Sequence, residues 1–196
     1  EARLASVGVT PESIDLVLLT HMHSDHIGGL LKYKKRAFPK AQIMVSKPEL
    51  DFWLDKAKND GGNANAALVK AVVEAYGQDV LPPFALGSAD LLPGISSIDA
   101  AGHTPGHSVF LLESEGKSLL ILGDLIHAAA LQFPLPDECA SYDMDAAAAV
   151  KMRRAVLSLA AAKDAVVAGL HLAPPALGQG KAEGGALRAP HLPSAA

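Results

Sequence analysis

Thr20-His21-Met22-His23-Ser24-Asp25-His26 sets three imidazoles and one carboxylate within six residues, 21–26. Packing does not account for that density, because each of these groups needs a polar partner once it leaves water. The stretch directly follows an apolar run, residues 14–19, in which Asp15 is the only charge and which reads as a β-strand. Side chains two apart on a strand point the same way, so His21 and His23 leave the strand end on one side. Asp25 and His26 then fall in the turn that leads into Ile27-Gly28-Gly29-Leu30-Leu31. Such a turn offers ligands to two neighbouring metal ions.

The length of 196 residues is enough for one sizeable core, and residues 1–196 read as a single domain. A net charge of −4 supplies no basic surface, so nucleic acid is not an expected partner. The lone Cys139 excludes an internal disulfide framework and a cysteine-rich zinc site. A bilayer span needs ~20 apolar residues. The best stretch here, residues 155–172, is broken by Lys163-Asp164, and no membrane partner is expected. No secretory leader is visible, yet the chain begins at Glu1 rather than Met. A soluble protein is expected, with cytoplasm and periplasm both open.

Working outward from the cluster, residues 1–8 read as the tail of a helix stopped by Gly8, and Thr10-Pro11-Glu12-Ser13 as a turn. Lys32-Tyr33-Lys34-Lys35-Arg36 reads as a solvated helix face. Residues 41–46 alternate as a strand. Pro48 opens a helix to about Lys58, with Leu50, Trp53, Leu54 and Ala57 at helical spacing and Trp53 read as core. A second helix over 64–76 carries Leu68, Val72 and Ala75 and stops at Gly77. Residues 80–92 have no clear period and read as a pocket wall or a connector.

Three strands follow, over 95–100, 108–113 and 118–122, the latter two apolar on both faces as in buried strands. Residues 125–133 read as a short helix or extended segment closed by Pro134 and Pro136. Asp143 or Asp145 caps a helix reaching about Ala162, with Ala149, Met152, Val156 and Leu159 buried and Lys151, Arg153 and Arg154 towards solvent. Residues 165–168 form a last short strand, and residues 174–196 are expected to be a partly irregular tail.

Three further polar groups follow apolar strands: His103, Asp124 and His171. With the opening cluster they make five histidines and two aspartates, a donor set suited to zinc and also to iron or manganese. Two metals a few ångström apart need a shared anionic ligand, and Asp124 is the natural bridging carboxylate.

The order His-x-His-x-Asp-His at a strand end, Gly102-His103-Thr104-Pro105-Gly106-His107, Gly123-Asp124 and a strand-terminal His171 resembles the metallo-β-lactamase fold superfamily. The resemblance implies an α+β fold, the αββα sandwich, whose N-terminal strands have no counterpart upstream of this cluster. It also implies two divalent metal ions, zinc first with iron or manganese as alternatives. His21, His23 and His103 would bind one ion, Asp25, His26 and His171 the other, and Asp124 both. His107 corresponds to a family histidine that is not a ligand and takes a supporting or packing role. The branch matched is that of methyl parathion hydrolase-like enzymes and quorum-quenching lactonases. The match rests on Gly123-Asp124-Leu125-Ile126-His127, on Leu131-Gln132-Phe133-Pro134-Leu135-Pro136, and on Asp143-Met144-Asp145 before Arg153-Arg154. True B1 β-lactamases carry cysteine where Asp124 stands.

The activity implied is hydrolysis of a small ester-type molecule, a lactone or an organophosphate triester, by a hydroxide between the metals. Asp124 and Asp25 would be the catalytic carboxylates, with Asp25 shuttling a proton, and His127 is a pocket candidate. A glyoxalase II-like thioesterase and a truncated metal-binding relic without turnover are the alternatives. The residues after His171 depart from the branch pattern, which alters a pocket wall. A sheet edge left open by the missing strands would favour a homodimer.

Overall fold

A computed structural model describes residues 2–179, 181–183 and 186–188 of the chain. By its internal contacts the chain divides into two compact units, Glu1–Ala85 and Leu86–Ala196.

The first unit begins with one helical turn, α1 (Ala2–Ala5), and the chain leaves it through Gly8 at φ +74°. Strand β1 (Leu16–Leu18) lies parallel to β4 (Gln42–Met44), with Val17 opposite Ile43. Between them come the single turn α2 (Ser24–Ile27) and the hairpin β2 (Leu31–Lys32) and β3 (Lys35–Arg36). That hairpin corrects the helix expected for the basic run. Tyr33 and Lys34 both have positive φ, 51° and 63°, the backbone of a two-residue hairpin turn and incompatible with a helix. Arg36 fastens the hairpin by donating to the carbonyls of Ala75 and Tyr76 and to Asp79.

Helices α3 (Lys47–Asn59) and α4 (Ala64–Tyr76) start where side chains satisfy first-turn N–H groups: Ser46 accepts from Glu49 and Asn63 from Ala66. Their apolar faces enclose Leu19, Met22, Ile27, Ile43, Val45 and Trp53. The stripe on α4 is turned by about one residue from the expected one. Ala66, Val69, Val72 and Tyr76 are buried, while Leu68 and Ala75 pack at the margin. Residues 80–84 run beside β4, where Leu81 and Phe84 donate to the carbonyls of Ile43 and Val45. The first five residues of the segment with no period are thus the flank of a strand.

The second unit holds a five-stranded sheet in the order β5 (Ile95–Asp99), β6 (Ser108–Ser114), β7 (Lys117–Ile121), β8 (Val166–Ala168), β9 (Leu177–Gln179). Neighbours are antiparallel except β7 and β8, which run parallel. The connection between those two contains α5 (Ala129–Gln132) and α6 (Ala146–Ala162). Strand β9 lies within the stretch 174–196 expected to be a partly irregular tail. It covers an edge of β8 whose N–H and C=O groups would otherwise lack ladder partners. A small hairpin, β10 (Lys181–Glu183) with β11 (Ala186–Arg188), follows, and the rest of the expected tail lies outside the described residues.

This topology brings three segments to one end of the sheet. Strands β5 and β7 both run antiparallel to β6, and β8 runs parallel to β7. The C-terminal ends of β5, β7 and β8 therefore lie together, and they carry His103, Asp124 and His171.

Helix α6 is capped by Asp145, whose carboxylate accepts from Ala148, and Asp143 is released for another task. Its buried face is Ala149, Arg153, Val156, Leu157 and Ala160. Arg153, expected in solvent, is 1% exposed. Its guanidinium donates to the carbonyls of Leu125, Pro136 and Glu138, with Asp143 3.4 Å away, so charge and donors are answered inside the unit.

Gly102 is fixed by space as well as by backbone. It has φ +143°, and a Cβ there would stand 2.3 Å from the Ala149 nitrogen. Gly102→Ala should cost about 3 kcal/mol or more in urea unfolding. Gly116→Asn, at φ +74° with nothing near its Cβ position, should stay within about 1 kcal/mol. Arg153→Met removes one side of a buried pair and the donors to three carbonyls. A loss of about 3–5 kcal/mol is expected in the same measurement.

Candidate metal centre

In the first unit the donors come from one continuous segment. Leu19 donates to Met44, the last backbone link before the chain leaves the sheet. His21 and His23 then fall on one side, with ring centroids 4.9 Å apart, and Met22 turns the other way into the core at 1% exposure. Helix α2 folds His26 back to 4.0 Å from the His21 ring. Asp25 is half exposed, with its Oδ2 3.5 Å from Nε2 of His26.

Two residues hold this loop in place. Oε1 of the buried Glu49 accepts from the Met22 N–H at 2.8 Å and from Trp53 Nε1 at 2.7 Å. Asn65 donates to the Met22 carbonyl at 2.9 Å. Trp53 is core, as its spacing indicates, and its ring also meets His23 edge-on at 5.4 Å. Sequence reading missed Glu49. Its signal was a carboxylate four residues before a core tryptophan, three after a capping serine.

In the second unit the donors arrive from three segments. Asp124 sits in a tight turn after β7, at φ −99° and ψ 27°, entered through Gly123 at φ +54°. Its backbone N–H donates to Nε2 of His107 at 3.0 Å, which leaves the proton of that ring on Nδ1, 3.2 Å from the Ala100 carbonyl. His107 thus ties the β7 turn to the end of β5, the supporting role expected of it.

One oxygen of Asp124 gathers three imidazoles. Oδ2 lies 3.3 Å from Nε2 of His103, 3.4 Å from Nε2 of His171 and 3.1 Å from Nε2 of His127. Charge-assisted N–H···O bonds run about 2.7–2.9 Å. Two ligand atoms on a tetrahedral ion, each about 2.0–2.1 Å from it, stand about 3.3 Å apart. The His103 and His171 spacings match the second case, and neutral imidazole with carboxylate is a donor set for zinc, iron or manganese. The residues fit a divalent cation.

The far nitrogen of His103 is engaged as well. Nδ1 stands 3.0 Å from Asp143 Oδ1, and Asp143 is held by Arg153 and by the Ala140 N–H. That pairing fixes the ring and leaves Nε2 as the outward donor. Burial lowers the tendency of His103 to protonate, but hydrogen bonds to Asp124 and Asp143 outweigh it and raise the pKa to about 9. Burial likewise opposes ionisation of Asp143. The hydrogen bond to His103 and the charges of His103, Arg153 and His127 prevail and hold its pKa below the usual carboxylate value.

His127 is part of the cluster. Its ring stacks on His171 at 5.2 Å, and its backbone N–H donates to Gln132 Oε1 at 2.7 Å. Tyr142 meets it edge-on at 4.7 Å. The sequence leaves Asp143 or Asp145 as the cap, offers Gln132 only within a branch motif, and does not single out Tyr142.

The metallo-beta-lactamase superfamily profile matches residues 1–171. An N-acyl homoserine lactonase from a Bacillus species is 25% identical over 119 residues, 61% of this chain and 41% of that protein. The chain thus spans well under half the length of the curated lactonases it matches. Among solved structures, hydrolase AbOPH of the beta lactamase superfamily superposes with a TM-score of 0.86 at 31% identity, over 97% of this chain and 69% of that one. AidC, a dizinc quorum-quenching lactonase in complex with a product, superposes with a TM-score of 0.83 at 30% identity, over 99% and 69%. The profile match ends at His171, the last donor, and so takes in all of them; this chain belongs to the metallo-β-lactamase superfamily.

Proposed function

We propose that this chain is a metal-dependent hydrolase of ester-type substrates, a lactone first and an organophosphate triester second. The observation that carries the reading is the convergence of imidazole Nε2 atoms on Asp124 Oδ2 at the spacing of ligands about a cation. The lactonase relatives and the dizinc lactonase similar in structure favour a lactone and zinc. The family motif divides the donors into His21, His23 and His103 for one cation and Asp25, His26 and His171 for a second, with Asp124 shared. When bound, two divalent cations supply an acidified water as nucleophile and draw charge from the carbonyl or phosphoryl oxygen under attack.

The chain's own groups prepare that chemistry. Asp143 occupies Nδ1 of His103, so the ring presents Nε2 in one orientation. His107 fixes the backbone of Asp124 and with it the direction of the carboxylate. Glu49 holds Met22, which sets the side on which His21 and His23 emerge. Asp25, half exposed beside His26, accepts the proton lost by the nucleophile and returns it to the departing alkoxide.

Asp124→Asn and His23→Ala should each lower hydrolysis of an acyl-homoserine lactone by at least about a hundredfold and reduce the zinc bound per chain. Loss of mere supporting partners already costs about ten- to a hundredfold. Metal analysis beside the lactone assay checks this, and either variant with wild-type zinc content and turnover overturns the assignment.

The proton on His103 gives a second test. A pKa raised from 6.5 to about 9 stabilises the chelated protein fully below pH 6.5, and that share is lost as pH rises through about 9. The urea midpoint of chelated protein should therefore fall between pH 6.5 and 9. Asp143→Asn should flatten that slope. Zinc needs the ring neutral, so zinc added at pH 7.5 in weak buffer should release protons.

A further inference from the structure

Tyr142 stands at the rim of the imidazole cluster, on the side of His127 and His103. Its ring centroid is 4.7 Å from that of His127 at 72° and 6.2 Å from that of His103 at 90°. Even so, 56% of the residue is exposed, and no described residue hydrogen-bonds its hydroxyl.

The backbone around it is tied on both sides. Asp143 donates to the Ala140 carbonyl at 3.1 Å, and Ala140 donates to the Asp143 carboxylate, which closes a turn with Tyr142 inside it. Met144 then donates to the His103 carbonyl and Asp145 to Gly102. Asp143 itself is fixed by Arg153 and His103. A large aromatic ring is thus held at a set place beside the donors while much of its apolar surface meets water. Met144, two residues on, is likewise an exposed hydrophobic, at 47%. An anchored ring with an open face has a ready use as a stacking surface for a flat apolar group.

We propose that Tyr142 is a specificity-determining residue that packs against an aryl group carried by the substrate, beside the bond to be hydrolysed. The inference rests on the hydrolase reading above. It adds a substrate class to it, esters and lactones bearing an aromatic ring, and it locates the selection in one side chain outside the donor set. Tyr142 accepts no proton and binds no cation in this role.

The test uses the zinc-loaded full chain and two matched pairs of probes. Calorimetry compares 3-phenylpropanoate with propanoate, and kinetics compares γ-phenyl-γ-butyrolactone with γ-butyrolactone. An aromatic pair contributes a preference of about fivefold. Tyr142→Ala should lose about that factor of preference for the phenyl member in both Kd and KM, with zinc content unchanged. Tyr142→Phe should keep the preference. No phenyl preference in the wild type overturns the proposal, as does a preference that survives Tyr142→Ala or vanishes in Tyr142→Phe. A wild type that turns over neither lactone yet prefers 3-phenylpropanoate through Tyr142 counts against hydrolysis and supports the aryl site.

Discussion

The buried guanidinium of Arg153 is the contact on which the second unit's donor cluster depends. It donates to the carbonyl of Leu125, one residue beyond Asp124, and it flanks Asp143, whose other oxygen holds His103. The segments carrying His103 and Asp124, far apart in sequence, are thereby referred to one side chain on α6. The same guanidinium satisfies the carbonyls of Pro136 and Glu138, in the irregular stretch between β7 and α6. Five donors in a planar fork allow one residue to do this, and lysine does not offer that geometry. Helix α6 can in turn lie close to the donor loop because Gly102 has no side chain.

The two units solve the problem of placing imidazoles differently. In the first, strand alternation does most of the work, and Glu49 and Asn65 need only keep Met22 from turning over. In the second, no local periodicity relates His103, Asp124 and His171. Sheet order relates them, since the antiparallel and parallel pairings of β5 to β8 bring three C-terminal strand ends to one end of the sheet. Local geometry is visible in a sequence and register between distant strands is not. The first set could be derived from spacing, whereas the members of the second could be picked out after apolar strands but their meeting could not.

The same distinction separates what was legible from what was not. Ligands are confined to a few residue types, so His103 and Asp124 stand out against apolar strands. The groups that hold them face no such restriction. Glu49 looked like part of a helix start, Asp143 like a cap, and Arg153 like one of several basic residues on a solvated face. An arginine among Ala149, Val156, Leu157 and Ala160 lies on the buried side by helical spacing, but only the carbonyls of Leu125, Pro136 and Glu138 make that burial tolerable. Those carbonyls belong to turns that no periodicity describes. The basic run at residues 32–36 failed for a related reason, because two consecutive left-handed residues, Tyr33 and Lys34, decide it and neither is glycine.

Charge balance explains why such a cluster favours a cation. Within the second unit the side chains of Asp124, Asp143 and Arg153 are 4%, 0% and 1% exposed, and the guanidinium lies 3.4 Å from Asp143. One negative charge is left over, and burying it unanswered is costly. A proton on His103 answers it, which is why that imidazole binds its proton far more tightly than a free one does. A divalent cation would answer it better, because Nε2 of His103 already stands at ligand spacing from Asp124 Oδ2. Proton and cation thus compete for the same nitrogen. The network that orients His103 for a metal is also what holds its proton when none is bound, so the strength of the Asp143 contact sets both the order of the site and its sensitivity to pH.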